Sequence, residues 1–186
     1  MIAKDSTSDV SIRPYREGDS RALFEAATES IAEVFRWLPW CHPGYTLEES
    51  DAWVAHSIEA WSRRTELNFV IEDGSGRFLG GTGLNQIAQN DRVANLGYWV
   101  RSSATRRGVA TAAVRQTAAH AFRHTDVVRL EVIVAVGNAA SLRVAEKVGA
   151  LREGVLRDRV FSGGASHDAV MHALLRSRLS PPPLRA

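Results

Sequence analysis

The sequence predicts one α+β domain: a mixed, mostly antiparallel sheet with helices on both faces and a central parallel strand–helix–strand crossover. Three observations predict it. Hydrophobic periodicity alternates along the chain in the order β-α-α-β-β-β-α-β-α-β-β. Two glycine-bearing turns, Asp73-Gly74-Ser75-Gly76 and Gly163-Gly164, separate strand-like runs and mark hairpins. Val127–Val136 (VVRLEVIVAV) becomes apolar on both faces toward its end, the pattern of a covered strand, and it follows a long amphipathic stretch. A strand, helix and strand in that order over residues 92–136 pair in parallel, with a right-handed crossover.

Val10–Tyr15 alternates Val10, Ile12 and Pro14 with Ser11, Arg13 and Tyr15, a first strand. Gly18-Asp19 breaks it, and Asp19 is the expected N-cap of a helix carrying Leu23, Ala27, Ile31, Val34 and Phe35. Arg36–Tyr45 (RWLPWCHPGY) is a loop with two prolines and several aromatics. Thr46 and Glu49 have capping-box spacing and open a second helix, whose inward positions are expected at Trp53, Ser57, Ala60 and Trp61. Leu67–Ile71 and Phe78–Leu84 form a hairpin, and Gly80, Gly81 and Gly83 point to a bulge or a close backbone approach. Arg92–Arg101 is the next strand. Arg107–Phe122 is helical, with Ala110, Ala113, Val114, Thr117, Ala118 and Ala121 on one face. Asn138 caps a helix through Val148 that Gly149 ends, and Leu151–Phe161 with His167–Leu175 make a last hairpin. Residues 1–9 read as a flexible N-terminus, 10–176 as the domain and 177–186 as a tail, because Pro181-Pro182-Pro183 cannot continue a helix.

Composition narrows the function. Lys+Arg is 23 against 21 Asp+Glu, a formal charge of +2, which argues against a dedicated nucleic-acid binder. Cys41 is the one cysteine, so no internal disulfide framework forms. No run of apolar residues is long enough to span a membrane, and Met1–Val10 lacks the features of a signal peptide; the expected location is the cytoplasm. His120 and His124 stand i,i+4, but no Glu follows His120, which excludes a metalloprotease site, and no metal is expected.

Two segments carry chemistry. Ser103–Ala113 (SATRRGVATAA) joins a strand to a helix, and Arg106-Arg107-Gly108-Val109-Ala110 falls at the helix N-terminus. Backbone N–H groups there lack intrahelical acceptors and the helix dipole adds positive potential, so a phosphate finds ready donors. Gly108 admits close approach, and two guanidinium groups add charge. On residue types alone the same segment reads equally as a plain turn with two solvated arginines. It lacks both the Lys-Ser/Thr ending of a P-loop and the three-glycine dinucleotide fingerprint. In the second segment, Val136–Gly149, Asn138 and Ser141 open a helix after a buried strand; taken singly, each reads as a capping or first-turn residue.

Together these segments resemble the GNAT superfamily of acyl-CoA-dependent N-acetyltransferases, most nearly its Rim-type branch of ribosomal-protein N-terminal acetyltransferases. The resemblance spans about residues 10–176. It rests on Gly97-Tyr98-Trp99-Val100, on Arg106-Arg107-Gly108-Val109-Ala110-Thr111-Ala112-Ala113, on Asn138 through Ala150, on Arg152-Glu153-Gly154 and on His167-Asp168. Thr105 departs from the Gln or Arg that usually stands three residues before the first glycine.

The resemblance implies acetyl-CoA as co-substrate. The strand at 96–101 would splay from that at 127–134, with pantetheine amides pairing along Trp99, Val100 and Arg101. The pyrophosphate would rest on Arg106, Arg107, Gly108, Val109, Ala110 and Thr111, and Asn138 would bond the cofactor's amide region. Ser141 would protonate the leaving thiolate, since Ala145 and Val148 supply no hydroxyl. Asn95 stands where many relatives carry a carboxylate; Glu131, His167 and Asp168 have bland structural readings, so no general base is identified. Trp37, Trp40 and Tyr45 are candidate walls of the acceptor site, or aromatics closing the core.

Only a neutral amine attacks a thioester. At pH 7 roughly 14% of an α-amine and roughly 0.04% of a lysine are neutral. The missing base therefore favours an acceptor of modest pKa: a protein or peptide N-terminus, acetylated by direct attack in a ternary complex. A small amine (drug, polyamine or amino acid) is the alternative, for which Glu48, Glu49 or Asp51 would face the site of a cationic acceptor. A non-catalytic acyl-CoA-binding sensor is the alternative of another class. Exposed strand edges are compatible with a monomer or a homodimer.

Overall fold

A computed structural model describes residues 9–179. Residues 1–8 of the expected N-terminal extension and 180–186 of the expected tail lie outside the described residues; Arg176–Leu179 forms a short helix, α5. The strands are β1 (Ser11–Pro14), β2 (Leu67–Glu72), β3 (Phe78–Ala88), β4 (Val93–Val100), β5 (Arg129–Ala135), β6 (Leu151–Ser162) and β7 (Ala165–Leu175). The helices are α1 (Ser20–Val34), α2 (Leu47–Arg63), α3 (Val109–His124) and α4 (Ala139–Lys147). One sheet runs β1-β2-β3-β4-β5-β7-β6. Every neighbouring pair is antiparallel except β4 and β5. This is the α+β arrangement the periodicity predicts.

Local chemistry sets the turns. Asp73 Oδ1 accepts from the amides of Ser75 (2.9 Å) and Arg77 (3.1 Å), closing the β2–β3 hairpin. Gly163 and Gly164 both take positive φ (59° and 79°), the primed turn whose twist suits a hairpin. A bulge lies where β3 begins, because Ile71 pairs with Gly80 and Glu72 with Phe78. It turns Phe78 toward α1 and α2 and Leu79 toward α3. Gly80 is obligatory there: a Cβ would sit 2.2 Å from the Trp99 carbonyl oxygen.

α3 and α4 cover one face of the sheet, burying Leu84, Leu96, Val114, Ala118, Leu130, Val132 and Ala145 in the main core. α1 and α2 cover the other, where Leu23, Ala26 and Val54 pack on Val70 and Phe78. Full burial of a residue such as Leu23 stabilises by about 1.5–3 kcal/mol.

Three expectations are corrected. Asp19 precedes α1 but its carboxylate caps nothing; it accepts from the Arg13 guanidinium (2.7 and 2.8 Å) and the Arg16 amide (2.8 Å), tying β1 to α1. Trp53 is 40% exposed, and Val54 takes the inward position. α3 begins at Val109 rather than Arg107, because Gly108 is left-handed. The Thr46–Glu49 capping box forms as expected, with both reciprocal bonds.

Candidate functional site

β4 and β5 pair only over Val93–Asn95 against Arg129–Glu131. Beyond Asn95, β4 follows β3 and β5 follows β7, so the sheet opens in a wedge that is closed at Asn95. Successive residues of a strand direct their main-chain groups to opposite edges. The Arg92 carbonyl accepts from the Val128 amide on the β5 side, whereas the Arg101 amide donates to the Leu79 carbonyl on the β3 side. Alternation between these anchors turns the main chain of Leu96, Tyr98 and Val100 into the wedge. Of the three residues expected to offer backbone there, Val100 turns its main chain into the wedge with Tyr98, while Trp99 and Arg101 turn theirs to β3.

The mouth of the wedge lies after Val100. The chain passes through a 3-10 turn, Ser102–Ala104, then Arg106 (φ +61°) and Gly108 (φ +78°). A non-glycine residue such as Arg106 in that region costs about 1–3 kcal/mol, and such strain concentrates at functional sites. No side chain caps α3, whose first internal bond runs from the Ala112 amide to the Gly108 carbonyl (2.9 Å). The amides of Val109, Ala110 and Thr111 therefore lack intrahelical acceptors, and the exposed Arg106 and Arg107 stand beside them. Three free amides beside a glycine and two guanidinium groups are the kind of donor set a diphosphate takes.

α1 holds this turn in place. Glu29 accepts from the Ser103 amide (2.8 Å) and the Arg101 guanidinium (Nε 3.0 Å), and Ser30 Oγ accepts from the Ser102 amide (3.0 Å). The Ser102 hydroxyl donates to Glu33 (2.6 Å). Arg101, chiefly, and Ser103 hold the Glu29 carboxyl down at about 2. The Arg101 side chain is thus spent on the scaffold.

Across the wedge, Asn138 Oδ1 accepts from the Ser141 amide (3.1 Å) and caps α4. Its side-chain NH₂ and the Ser141 hydroxyl make no hydrogen bond among the described residues, and both side chains are half-buried. The Tyr98 hydroxyl donates to the Ser141 carbonyl (3.1 Å), bridging β4 and α4. No local sequence signal announces that bridge.

The loop after α1 reaches the same place. The Trp37 ring lies 3.3 Å from where a Cβ on Gly137 would be, beside Asn138. Trp40, 38% exposed, meets Trp99 edge-on at 5.2 Å. Tyr45 departs from the expected wall: it is buried, stacked on Phe24, and bonded to Ser50 Oγ (3.0 Å). Asn95 sits at the closed end, its amide donating to Asn85 (2.8 Å).

The base candidates are otherwise engaged. Glu131 accepts from Arg129 (2.9 Å), which also binds Glu153 (2.8 Å). Asp168 accepts from the Asp158 amide (3.1 Å) and Arg157, and His167 contacts the Ser162 carbonyl (3.0 Å), so both anchor the last hairpin. Glu49 serves the α2 cap and His42. Cys41 is fully buried, and burial pushes its thiol up to about 11. Among the described residues no three His, Cys, Asp or Glu side chains are grouped to hold a metal. His120 and His124 line a separate cleft of about 880 Å³ at the C-terminal end of α3, the far end from Gly108.

Residues 9–151 match the family described as an acetyltransferase (GNAT) domain. The "Putative ribosomal N-acetyltransferase YdaF" of Bacillus subtilis is 30% identical over 171 residues, 90% of this chain and 91% of that protein. Among solved structures, Mycobacterium smegmatis RimJ in complex with CoA-disulfide superposes with a TM-score of 0.85 at 27% identity, covering 92% of this chain and 84% of that one. RimL, a ribosomal L7/L12 α-N-protein acetyltransferase in complex with coenzyme A, shares the fold with a TM-score of 0.83 at 23% identity, over 91% of this chain and 96% of that one.

Proposed function

The chain belongs to the GNAT acetyltransferase family and uses acetyl-CoA, and from that premise we propose that its acceptor is the α-amine of a protein or peptide N-terminus, of the ribosomal-protein kind. The observation that carries this reading is that, among the described residues, no carboxylate is uncommitted at the closed end of the wedge: Asn95 is neutral and bonded to Asn85, and Glu131 is ion-paired. An amine that is substantially neutral at physiological pH suits such a site; a lysine does not.

The chain's own residues divide the work. The uncapped amides of Val109, Ala110 and Thr111, with Arg106, Arg107 and Gly108, hold the diphosphate. Val100 and Tyr98 offer main-chain partners to the pantetheine arm, and Asn138 offers its free NH₂. Acetyl-CoA supplies an activated acetyl group. The amine nitrogen bonds the acetyl carbon, the carbon–sulfur bond breaks with its electron pair going to sulfur, and the Ser141 hydroxyl gives sulfur its proton. The proton lost from nitrogen leaves through water and restores the hydroxyl. The burial and raised pKa of Cys41 support direct attack rather than an acetylated cysteine. Trp37 and Trp40 wall the acceptor side. The small cationic amine is the weaker reading, because Glu49 is held by Thr46 and His42 rather than turned to the acceptor.

The test is competition among acceptors. Peptides with free N-termini, an N-blocked lysine peptide and spermidine are offered with acetyl-CoA while free thiol and product mass are followed. Acetylation of the free N-termini is expected. Modification of the lysine peptide or spermidine alone would overturn the assignment.

A further inference from the structure

We propose that Tyr98 is a positioning residue for Ser141: its phenol is the strut that fixes the first turn of α4 across the open half of the wedge. The inference rests on the reading of Ser141 as the proton donor to sulfur. β4 and β5 have no main-chain bond beyond Asn95 and Glu131. Among the described residues the Tyr98–Ser141 bond (3.1 Å) is the one hydrogen bond that joins the free half of β4 to α4. The Asn138 cap holds the Ser141 amide from within α4 itself, so it leaves the distance from α4 to β4 unset. The Tyr98 ring packs against the main core and sets where the hydroxyl stands. Burial pushes that hydroxyl up to about 12, so it keeps its proton and remains a donor through the working pH range.

The geometry also explains why one residue serves both sides of the wedge. Tyr98 lies on the edge of β4 whose main chain faces the opening, while its side chain reaches the turn that carries Ser141. A thioester lying along β4 is then placed by the same residue that places the acid. A positional error of about 1 Å in such a group costs up to a hundredfold in rate.

The test is a double-variant cycle of Tyr98→Phe and Ser141→Ala. Phe keeps the ring in the core and removes the hydroxyl. One lost hydrogen bond predicts about a fivefold fall in kcat for Tyr98→Phe, with the calorimetric affinity for CoA unchanged. In the Ser141→Ala background the second change is expected to cost nothing more, because there is no hydroxyl left to position. A merely structural role for Tyr98 lowers both backgrounds alike. Additive losses, or an unchanged kcat in Tyr98→Phe, overturn the proposal. If the wild type acetylates no α-amine, the acceptor reading falls by itself. The same cycle is then read from the slow hydrolysis of acetyl-CoA by water, which needs the same proton on sulfur.

Discussion

At Gly108 the chain takes φ +78° immediately before the three free amides of α3, and any L side chain there is strained whatever its chemistry. Gly108→Ala isolates that strain, and about a fivefold loss of CoA affinity is expected, in line with roughly 1 kcal/mol. Gly108→Glu adds a carboxylate at the proposed diphosphate site, and calorimetry should detect no CoA binding. Equal affinity of the Glu and Ala variants would show that no phosphate lies there. Ser141→Ala is expected to lower kcat about a hundredfold while leaving CoA affinity intact; a parallel loss of affinity would remove the serine from the acid role. The helix starts at both positions were legible in the sequence, because a glycine turn and an Asn-x-x-Ser opening act through their own neighbours; the roles came from the resemblance. Tyr98 was not, since its partner lies 43 positions away and only the tertiary fold joins them.

At the scale of elements, α1 does more than cover the sheet. Glu29 and Ser30 in its second half hold the amides of Ser103 and Ser102, so the helix on one face fixes the turn that leads to the free amides of α3 on the other. A carboxyl held near 2 contributes stability that is present above its unfolded value of about 4.5. That contribution is lost as pH falls from about 4.5 through 2. Glu29→Gln should flatten the acid limb of Tm between those values and weaken CoA binding at pH 7. A Tm–pH curve identical to the wild type would overturn the coupling. No pattern in the sequence pairs Glu29 with Arg101, 72 residues apart. Within α2, Ser57, Ala60 and Trp61 turn inward as expected, and only Trp53 does not. The capping box fixes where α2 begins, but its buried stripe carries Ser50 and Ser57, whose partners Tyr45 and Asn68 make burial tolerable. A large aromatic next to Val54 weights the period toward its own position, which is why Trp53 rather than Val54 reads as inward.

For the molecule as a whole, the sheet order places a parallel pair at the centre of an antiparallel sheet, and that pair is where the strands part. The alternation of strands and helices made this architecture readable, while the depth of the opening, set where Asn95↔Glu131 pairing ends, was not. Among the described residues no carboxylate is left uncommitted at its closed end, so the proposed reading leaves deprotonation of the acceptor to solvent. The pH dependence of transfer should therefore belong to the substrate. kcat/KM for a peptide N-terminus should rise tenfold per pH unit below about 7.8 and level above it, because only the neutral amine attacks. Changing the acceptor's first residue so that its amine pKa falls should carry the midpoint down with it. An enzyme base would instead give a midpoint that stays fixed while the acceptor's pKa moves. Measuring kcat/KM from pH 6 to 9 for two peptides of different amine pKa separates these outcomes, and a common midpoint would assign the titration to a group of the enzyme and overturn the reading.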